Sequence, residues 1–399
     1  MNPLQTKALE SFLDDWTISS LLLKVTNLCC FKCSYCFWFR DAKVLKKPAT
    51  LSLDLEEILL NRLEEHIRSH KLERFQVTLH GGEPLLFGYN RLAALLQKFR
   101  DLAERLNCKI PISLQTNGYL LDERFADLFL TYKVSIGISL DGPAETHNRN
   151  RKGMNGEDTF ERVVKGVRLL QRKNVPFGVL GVCNPQADPV PIMKFFADEM
   201  GLDCYDIMIP DITHDDPKEE ISEFYIRAFD YWSEHQAEKG VEFRFLKTII
   251  GSLFGLPSRS EAIGFGPMSV ITMETDGVLT STDTLRICGE ESVVSDLNIR
   301  TTRLDDIKKD NMVRWIIGES MTLNPSCVSC KFNMACGGGY LPHRFSRKTG
   351  NFQQKSVYCE DLYKILSHIA DCLEADVVCE DQEVPLPDEG ESNPQDAVA

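Results

Sequence analysis

The sequence predicts an α/β protein: a partial (β/α)6 barrel followed by a smaller C-terminal domain built around cysteine. Three observations predict it. Six short apolar runs alternate with amphipathic stretches between residues 20 and 240. Beyond that point the alternation stops and glycine-rich turns take over. The cysteines gather in two groups, one in each part.

The six runs are Ser20–Thr26, Arg74–His80, Lys109–Thr116, Val134–Leu140, Phe177–Cys183 and Tyr205–Pro210. Most are too short and too continuously apolar for surface helices, so they read as buried parallel strands. Between them, Leu53–Arg68 and Asn90–Leu106 repeat large apolar residues at helical spacing. Asp158–Arg172 opens on an N-capping aspartate, and the helix near Pro191–Met200 closes at Gly201. A longer helix is expected over Lys218–Gly240, and a hairpin turn at Asp276-Gly277. The expected organisation is an N-terminal extension (1–17), the barrel (18–240), a linker (241–263), the cysteine-bearing domain (264–379) and a disordered acidic tail (380–399).

The 399 residues are 43% hydrophobic and 26% charged, the balance of an ordinary globular protein. A net charge of −14 argues against a nucleic-acid partner or an anionic membrane surface. No apolar run reaches membrane-spanning length, and the start shows no signal-peptide pattern. The expected location is the cytoplasm, where thiols stay reduced. The fourteen cysteines therefore point to metal rather than disulfides, with Cys108, Cys183, Cys204, Cys372 and Cys379 as ordinary thiols.

The first group, Cys29-x3-Cys33-x2-Cys36, directly follows the first strand. Three thiolates on one loop hold three irons of a cubane cluster and leave the fourth iron open to a chelating small molecule. Structural zinc is the alternative, and it wants a fourth ligand close by. Polar groups end the next strands: His80-Gly81-Gly82-Glu83-Pro84, Gln115-Thr116-Asn117-Gly118 and Ser139-Leu140-Asp141-Gly142-Pro143. Such strand ends are where α/β folds place their sites. The second group is Cys327-x2-Cys330-x5-Cys336, with Cys359 23 residues further on. Four thiolates so spaced ligate one centre, and spacing alone leaves zinc and an iron–sulfur cluster equally open.

On the cysteine loop and the Gly81–Pro84 motif, residues 18–235 resemble the radical S-adenosylmethionine (SAM) superfamily. The second group resembles the SPASM/Twitch extension found in members that modify peptides. The resemblance implies a radical SAM barrel followed by a SPASM/Twitch-like iron–sulfur domain. It implies S-adenosyl-L-methionine and a SAM-binding 4Fe-4S cluster on Cys29, Cys33 and Cys36. It also implies an auxiliary 4Fe-4S cluster on Cys327, Cys330, Cys336 and Cys359. The expected SAM-binding set is Phe37, Gly81, Gly82, Glu83, Pro84, Thr116, Asn117, Ser139, Asp141 and Arg151. Within it Glu83 receives the SAM ammonium, Ser139 meets its polar groups, and Arg151 either meets its carboxylate or is a solvated surface side chain. Thr282 and Tyr340 stand where the fuller SPASM pattern has cysteines, so only one auxiliary cluster is expected. Cys288 is expected as a free thiol rather than a stray ligand.

A narrower resemblance rests on Glu274-Thr275-Asp276-Gly277, Thr282-Asp283-Thr284-Leu285, Cys336-Gly-Gly-Gly-Tyr-Leu-Pro-His343-Arg344 and Ser356-Val-Tyr-Cys359. These look like the maturases that build three-residue cyclophanes in ribosomal peptides. The implied reaction takes a hydrogen from a side-chain β-carbon of a ribosomal precursor peptide. It then joins that carbon to an aromatic ring two residues away, with loss of one electron and one proton. Asp283 is the implied proton acceptor, by likeness to sulfatase-maturing enzymes; a plain surface aspartate is the competing reading. An electron donor such as a flavodoxin or ferredoxin is implied. The segment before Ile18 is too short for a separate leader-binding domain. Thioether formation, epimerisation and formylglycine formation are the alternatives within peptide modification. A zinc-stabilised peptide-binding scaffold is the alternative outside catalysis.

Overall fold

The computed structural model describes residues 3–40, 42–258, 260–289 and 295–380. The expected tail lies outside the described residues apart from Glu380, the last residue of the C-terminal helix. Helix α1 (Pro3–Asp15) leads into strand β1 (Ser20–Thr26), the short strand β2 (Phe31–Cys33) and helix α2 (Leu53–His70). Then follow β3 (Gln76–Gly81), α3 (Tyr89–Leu106), β4 (Ile112–Thr116), α4 (Glu123–Tyr132), β5 (Ser135–Ser139) and α5 (Ala144–Asn150). Strand β6 (Arg151–Gly153), α6 (Phe160–Arg172), β7 (Phe177–Val182), α7 (Pro189–Lys194), β8 (Cys204–Met208) and α8 (Ser222–His235) complete the alternating part.

The six expected strands are all present and run parallel, in the order β1, β3, β4, β5, β7, β8. Helices bury the apolar stripes that the sequence displays. Leu55, Leu59, Leu63 and Ile67 of α2 lie one helical turn apart and are at most 3% exposed. Each such side chain contributes about 1.5–3 kcal/mol of burial free energy. Lys71, Asn107 and Lys133 end their helices in the left-handed conformation, closing the exposed carbonyls as glycine more often does.

Three features depart from the sequence expectation. Residues 241–263, expected as a linker, are folded: β9 (Glu242–Phe243) extends the sheet beside β8, and α9 (Arg244–Leu253) packs on it. The expected N-terminal extension is α1, whose Leu9 and Leu13 are buried against the C-terminal region. The predicted hairpin exists as β10 (Ile271–Met273) and β11 (Leu279–Thr280), but it does not stand apart. Strand β10 pairs in parallel with β1, Leu21 opposite Ile271, so one nine-stranded sheet runs through both parts. A two-residue strand carries no period, and an edge pairing between distant segments leaves no local signature.

The rest of the C-terminal region is α10 (Asn311–Ser320), the short helices α11 (Pro325–Val328) and α12 (Asn333–Cys336), and α13 (Cys359–Glu380). Among the described residues no helix is long and apolar enough to cross a membrane. Asp361, in the first turn of α13, accepts hydrogen bonds from Ile221 N (2.8 Å) and Ser222 N (3.1 Å) and so caps α8 from another segment. Replacing Asp361 with alanine strands two buried donors. We expect a loss of about 1–3 kcal/mol in urea unfolding, with Asp361→Asn much closer to wild type because it keeps an acceptor oxygen.

Candidate active site at the strand ends

The C-terminal ends of β1, β3, β4 and β5 lie side by side, as the register pairs Thr26 with Gly81 and Thr116 with Ile138. The cysteine loop folds across this edge. Cys33 sits in β2, which pairs with β6 so that Cys33 faces Arg151. The loop lies directly on the glycine pair. A Cβ on Gly81 would stand 2.2 Å from the Thr26 carbonyl oxygen, and one on Gly82 would stand 2.3 Å from that of Leu28. Gly82 N donates to Thr26 O and Glu83 N to Leu28 O (2.7 Å). Only glycine at both positions lets the strand end and the cysteine loop meet. Asn117 Nδ2 lies 3.9 Å from Cys29 Sγ and 3.4 Å from Cys30 Sγ.

Glu83 holds neighbouring strand ends together. Its side chain is fully buried, and it accepts from Leu85 N (3.0 Å), Thr116 Oγ1 (2.6 Å) and Asn117 N (2.7 Å). The side chain thereby braces the ends of β3 and β4. Burial pushes its pKa up to about 7 against those three hydrogen bonds. Arg151 is not a solvated surface side chain: it is buried, and its guanidinium is paired with Asp141 Oδ1 at 3.0 Å. Asp141 also accepts from Val182 N (3.1 Å) and Tyr35 OH (2.5 Å), so it ties the cysteine loop to β7. Ser139 Oγ, at the end of β5, accepts from Gln115 Nε2 (2.9 Å). Pro84 opens the short turn Pro84–Phe87 that follows the motif.

Asp283 is not a surface aspartate. It opens the 3₁₀ turn Asp283–Cys288, is 4% exposed, and forms an ion pair with Lys24 of β1. Lys24 is completely buried, lies 4.1 Å from the Trp38 ring centre and 5.8 Å from that of Phe37, and reaches His80 Nδ1 at 3.1 Å. His80 Nδ1 also lies 2.8 Å from Gly81 N and 3.1 Å from Gly81 O. Burial, then the Lys24 charge, pulls His80 down to about 4. For Asp283 burial pushes upward, but the charge and hydrogen bond of Lys24 outweigh it and hold the carboxyl below the usual range. Asp283 is therefore a carboxylate, in the form that accepts a proton. On its far side Arg286 pairs with buried Glu274 and stacks 4.8 Å from Trp38. The sequence reading missed Lys24, His80, Tyr35 and Trp38. Lys24 did leave a signal, as the single charge inside the apolar run Ser20–Thr26.

The second cysteine group converges in the structure. Cys327, Cys330, Cys336 and Cys359 all line one cavity of about 440 Å³, together with Phe332, Lys355 and Tyr363. Cys288 is buried elsewhere, in the turn that Asp283 opens. Thr282 and Tyr340 are also buried; Tyr340 OH is hydrogen-bonded to Thr284, and Thr282 to Glu261. Thr282 and Tyr340, the two positions where the resemblance would put cysteines, thus carry hydroxyls with hydrogen-bond partners.

Residues 23–193 match the family model of the radical SAM superfamily. That stretch has the radical SAM α/β fold. The whole chain is similar to anaerobic sulfatase-maturating enzymes. The cysteine-type enzyme of Clostridium perfringens is 27% identical over 86% of this chain and 93% of its own. The serine-type enzyme of Bacteroides thetaiotaomicron is 25% identical over 87% and 88%. Among solved structures, anSMEcpe with bound AdoMet and a Cp18Cys peptide superposes with a TM-score of 0.80, at 24% identity over 91% of this chain and 99% of that one. Streptococcus suis SuiB bound to its precursor peptide SuiA gives 0.61, at 16% identity over 90% and 82%. Radical SAM proteins use a 4Fe–4S cluster and SAM. Both donor sets here fit such groups: three thiols on one loop at the strand ends, and four around a single cavity.

His147 buttresses the radical SAM domain. Its Nδ1 accepts from Asp141 N (3.4 Å) and its Nε2 bonds Thr159 Oγ1 (3.1 Å). Burial holds it at about 3, and His343, buried likewise, at about 4. Unfolded, such rings titrate near ~6.5. Below that pH the unfolded chain binds protons that the folded chain refuses, so stability falls as the pH drops from about 6.5 toward 4. The unfolding free energy from urea titrations across this window should fall by several kcal/mol in the wild type. His147→Gln should be weaker at neutral pH and show a shallower fall.

Proposed function

We propose that this protein is a radical SAM enzyme that oxidises a peptide at a side-chain β-carbon, and that the product is a C–C cross-link to an aromatic ring two residues away. The observation that carries the oxidative reading is Asp283. It is a buried carboxylate at the strand ends, held by Lys24 beside Phe37 and Trp38, which directly follow Cys36.

In this reading Cys29, Cys33 and Cys36 hold the SAM-binding 4Fe–4S cluster, and Cys327, Cys330, Cys336 and Cys359 hold the auxiliary one. When bound, the first cluster and SAM supply a 5′-deoxyadenosyl radical that takes a hydrogen from the peptide. The chain's own residues do the rest. Gly81 and Gly82 let the cysteine loop close on the strand ends, and Glu83 and Asp141 fix its neighbours. Lys24 keeps Asp283 ionised and fixes its position, and His80 in turn contacts Lys24. Asp283 would receive the proton that leaves as the substituted ring regains aromaticity, a transfer within reach of an ordinary carboxylate, and the electron lost in the same step would pass to the cluster that Cys327, Cys330, Cys336 and Cys359 would hold. Phe37 and Ser139 border the space the cofactor takes. The enzyme works in the cytoplasm with a flavodoxin- or ferredoxin-like electron donor.

The cross-link is supported by the Cys336–Arg344 and Ser356–Cys359 strings of the sequence, and by the hydroxyls at Thr282 and Tyr340 in place of a second auxiliary set. Formylglycine formation is the second reading, favoured by similarity to the sulfatase-maturating enzymes over most of the chain. It uses the same Asp283 step. The two part on product. Anaerobic protein incubated with SAM, reductant and the short peptide encoded beside its gene should yield 5′-deoxyadenosine. The peptide should lose two hydrogens and gain a ring-to-β-carbon bond by NMR. An aldehyde on a cysteine or serine peptide instead would establish the second reading.

Asp283→Asn should keep 5′-deoxyadenosine formation while lowering cross-linked product by about 100-fold or more, because the proton acceptor is removed while the amide oxygen still accepts from Lys24. Full product yield from this variant would remove Asp283 from the reaction. Replacing Cys29, Cys33 and Cys36 together with alanine should halve the iron content and abolish SAM cleavage. Cys330→Ala should lower iron without preventing SAM cleavage.

A further inference from the structure

Away from the strand ends, two histidines of α2 and an aspartate of the C-terminal region converge on one point. His66 and His70 are four residues apart and so share a helix face. Asp305 lies in the 3₁₀ turn Leu304–Lys309. Its Oδ1 is 2.6 Å from His66 Nδ1 and 2.8 Å from His70 Nε2, and the three ligand atoms lie within 4.8 Å of one another.

The hydrogen-bond chemistry at His66 makes this more than a polar contact. Its Nε2 lies 2.8 Å from the carbonyl oxygen of Ile18. A carbonyl only accepts, so Nε2 carries the hydrogen. In the neutral ring Nδ1 is then a lone pair, aimed at a carboxylate oxygen that is itself an acceptor. Two acceptors at that separation need a positive occupant between them. Either Nδ1 is protonated, or a cation is shared. A ring nitrogen tied to a backbone carbonyl while the other faces a carboxylate is also how metal-ligating histidines are oriented. His66 is buried, whereas His70 and Asp305 are 35% and 32% exposed, which leaves a route for an ion and room for a water ligand.

We propose that His66 Nδ1, His70 Nε2 and Asp305 form a zinc site. Two imidazoles and one carboxylate are a borderline donor set that suits zinc in tetrahedral geometry with water as the fourth ligand. The site clasps α2 to the C-terminal region. Neighbouring contacts run the same way: Arg303 pairs with Glu65 at 2.9 Å, and Arg62 reaches Ile299 O. Ile18 precedes β1, so the clasp sits at the end of the sheet opposite the cysteine loop. Its role is structural, and it does not depend on the proposed reaction.

The test uses the full-length protein without an affinity tag, reconstituted with iron and sulfide under anaerobic conditions and then titrated with zinc chloride. Calorimetry should show one site in the wild type that is absent in His70→Ala and in Asp305→Asn. Iron content and SAM cleavage should be unchanged in both variants, which shows that they fold. Zinc-edge X-ray absorption should report nitrogen and oxygen neighbours, and zinc should raise the melting temperature of the wild type alone. Equal zinc uptake by wild type and both variants, sulfur neighbours at zinc, or no uptake by the wild type would each overturn the proposal. The cluster would then be a protonated His66–Asp305 pair.

Discussion

A completely buried ammonium must find a carboxylate, and in this protein Lys24 finds Asp283. Taking either charge out of water costs several kcal/mol, and leaving one alone costs about 3–5 kcal/mol more than burying the pair. The pair therefore fixes the position of the turn Asp283–Cys288 against β1. The parallel pairing of β10 with β1 holds the same two parts of the chain together a few residues away. The C-terminal region is thereby locked onto the edge strand of the barrel sheet, and everything that depends on its placement follows. That includes the carboxylate at the strand ends and the stack of Lys24, Trp38 and Arg286 behind it.

The site is built mainly from groups that satisfy one another. Glu83 binds the ends of β3 and β4, Asp141 binds Tyr35, Arg151 and β7, and Ser139 binds Gln115. Polar residues at successive strand ends thus divide into two kinds. Some present glycine backbone and thiols to a ligand. Others hold the first kind in place, and a buried charge that already has its partners belongs with these. Sequence position does not separate the two, because both kinds fall at the same end of a strand.

The two cysteine groups show a different economy. Three thiols on the first loop leave room for a ligand, as expected for a centre that does chemistry. Four thiols around the second cavity leave none. Between them, Thr282, Thr284, Tyr340 and Glu261 fill by hydrogen bonding a region where a further set of thiols is absent.

The sequence by itself determined the alternating parallel strands, the helix faces, the hairpin at Asp276-Gly277 and the cysteine groups. Those rest on local periods, turn residues and short spacings, which survive in one dimension. Even so, the strand and helix of residues 241–263 passed for a linker, because strand β9 is too short to show a period. Only the tertiary structure decided that β10 joins β1, that Asp361 caps α8, that Arg151 is paired and that Glu83 is a brace. Those depend on residues far apart in sequence: Lys24 and Asp283 are separated by 259 positions. Partner choice across such distances is set by which buried charges and strand edges remain unsatisfied once the local elements have formed. Lys24 announced itself as a charge in an apolar strand; the identity of its partner was available only in three dimensions.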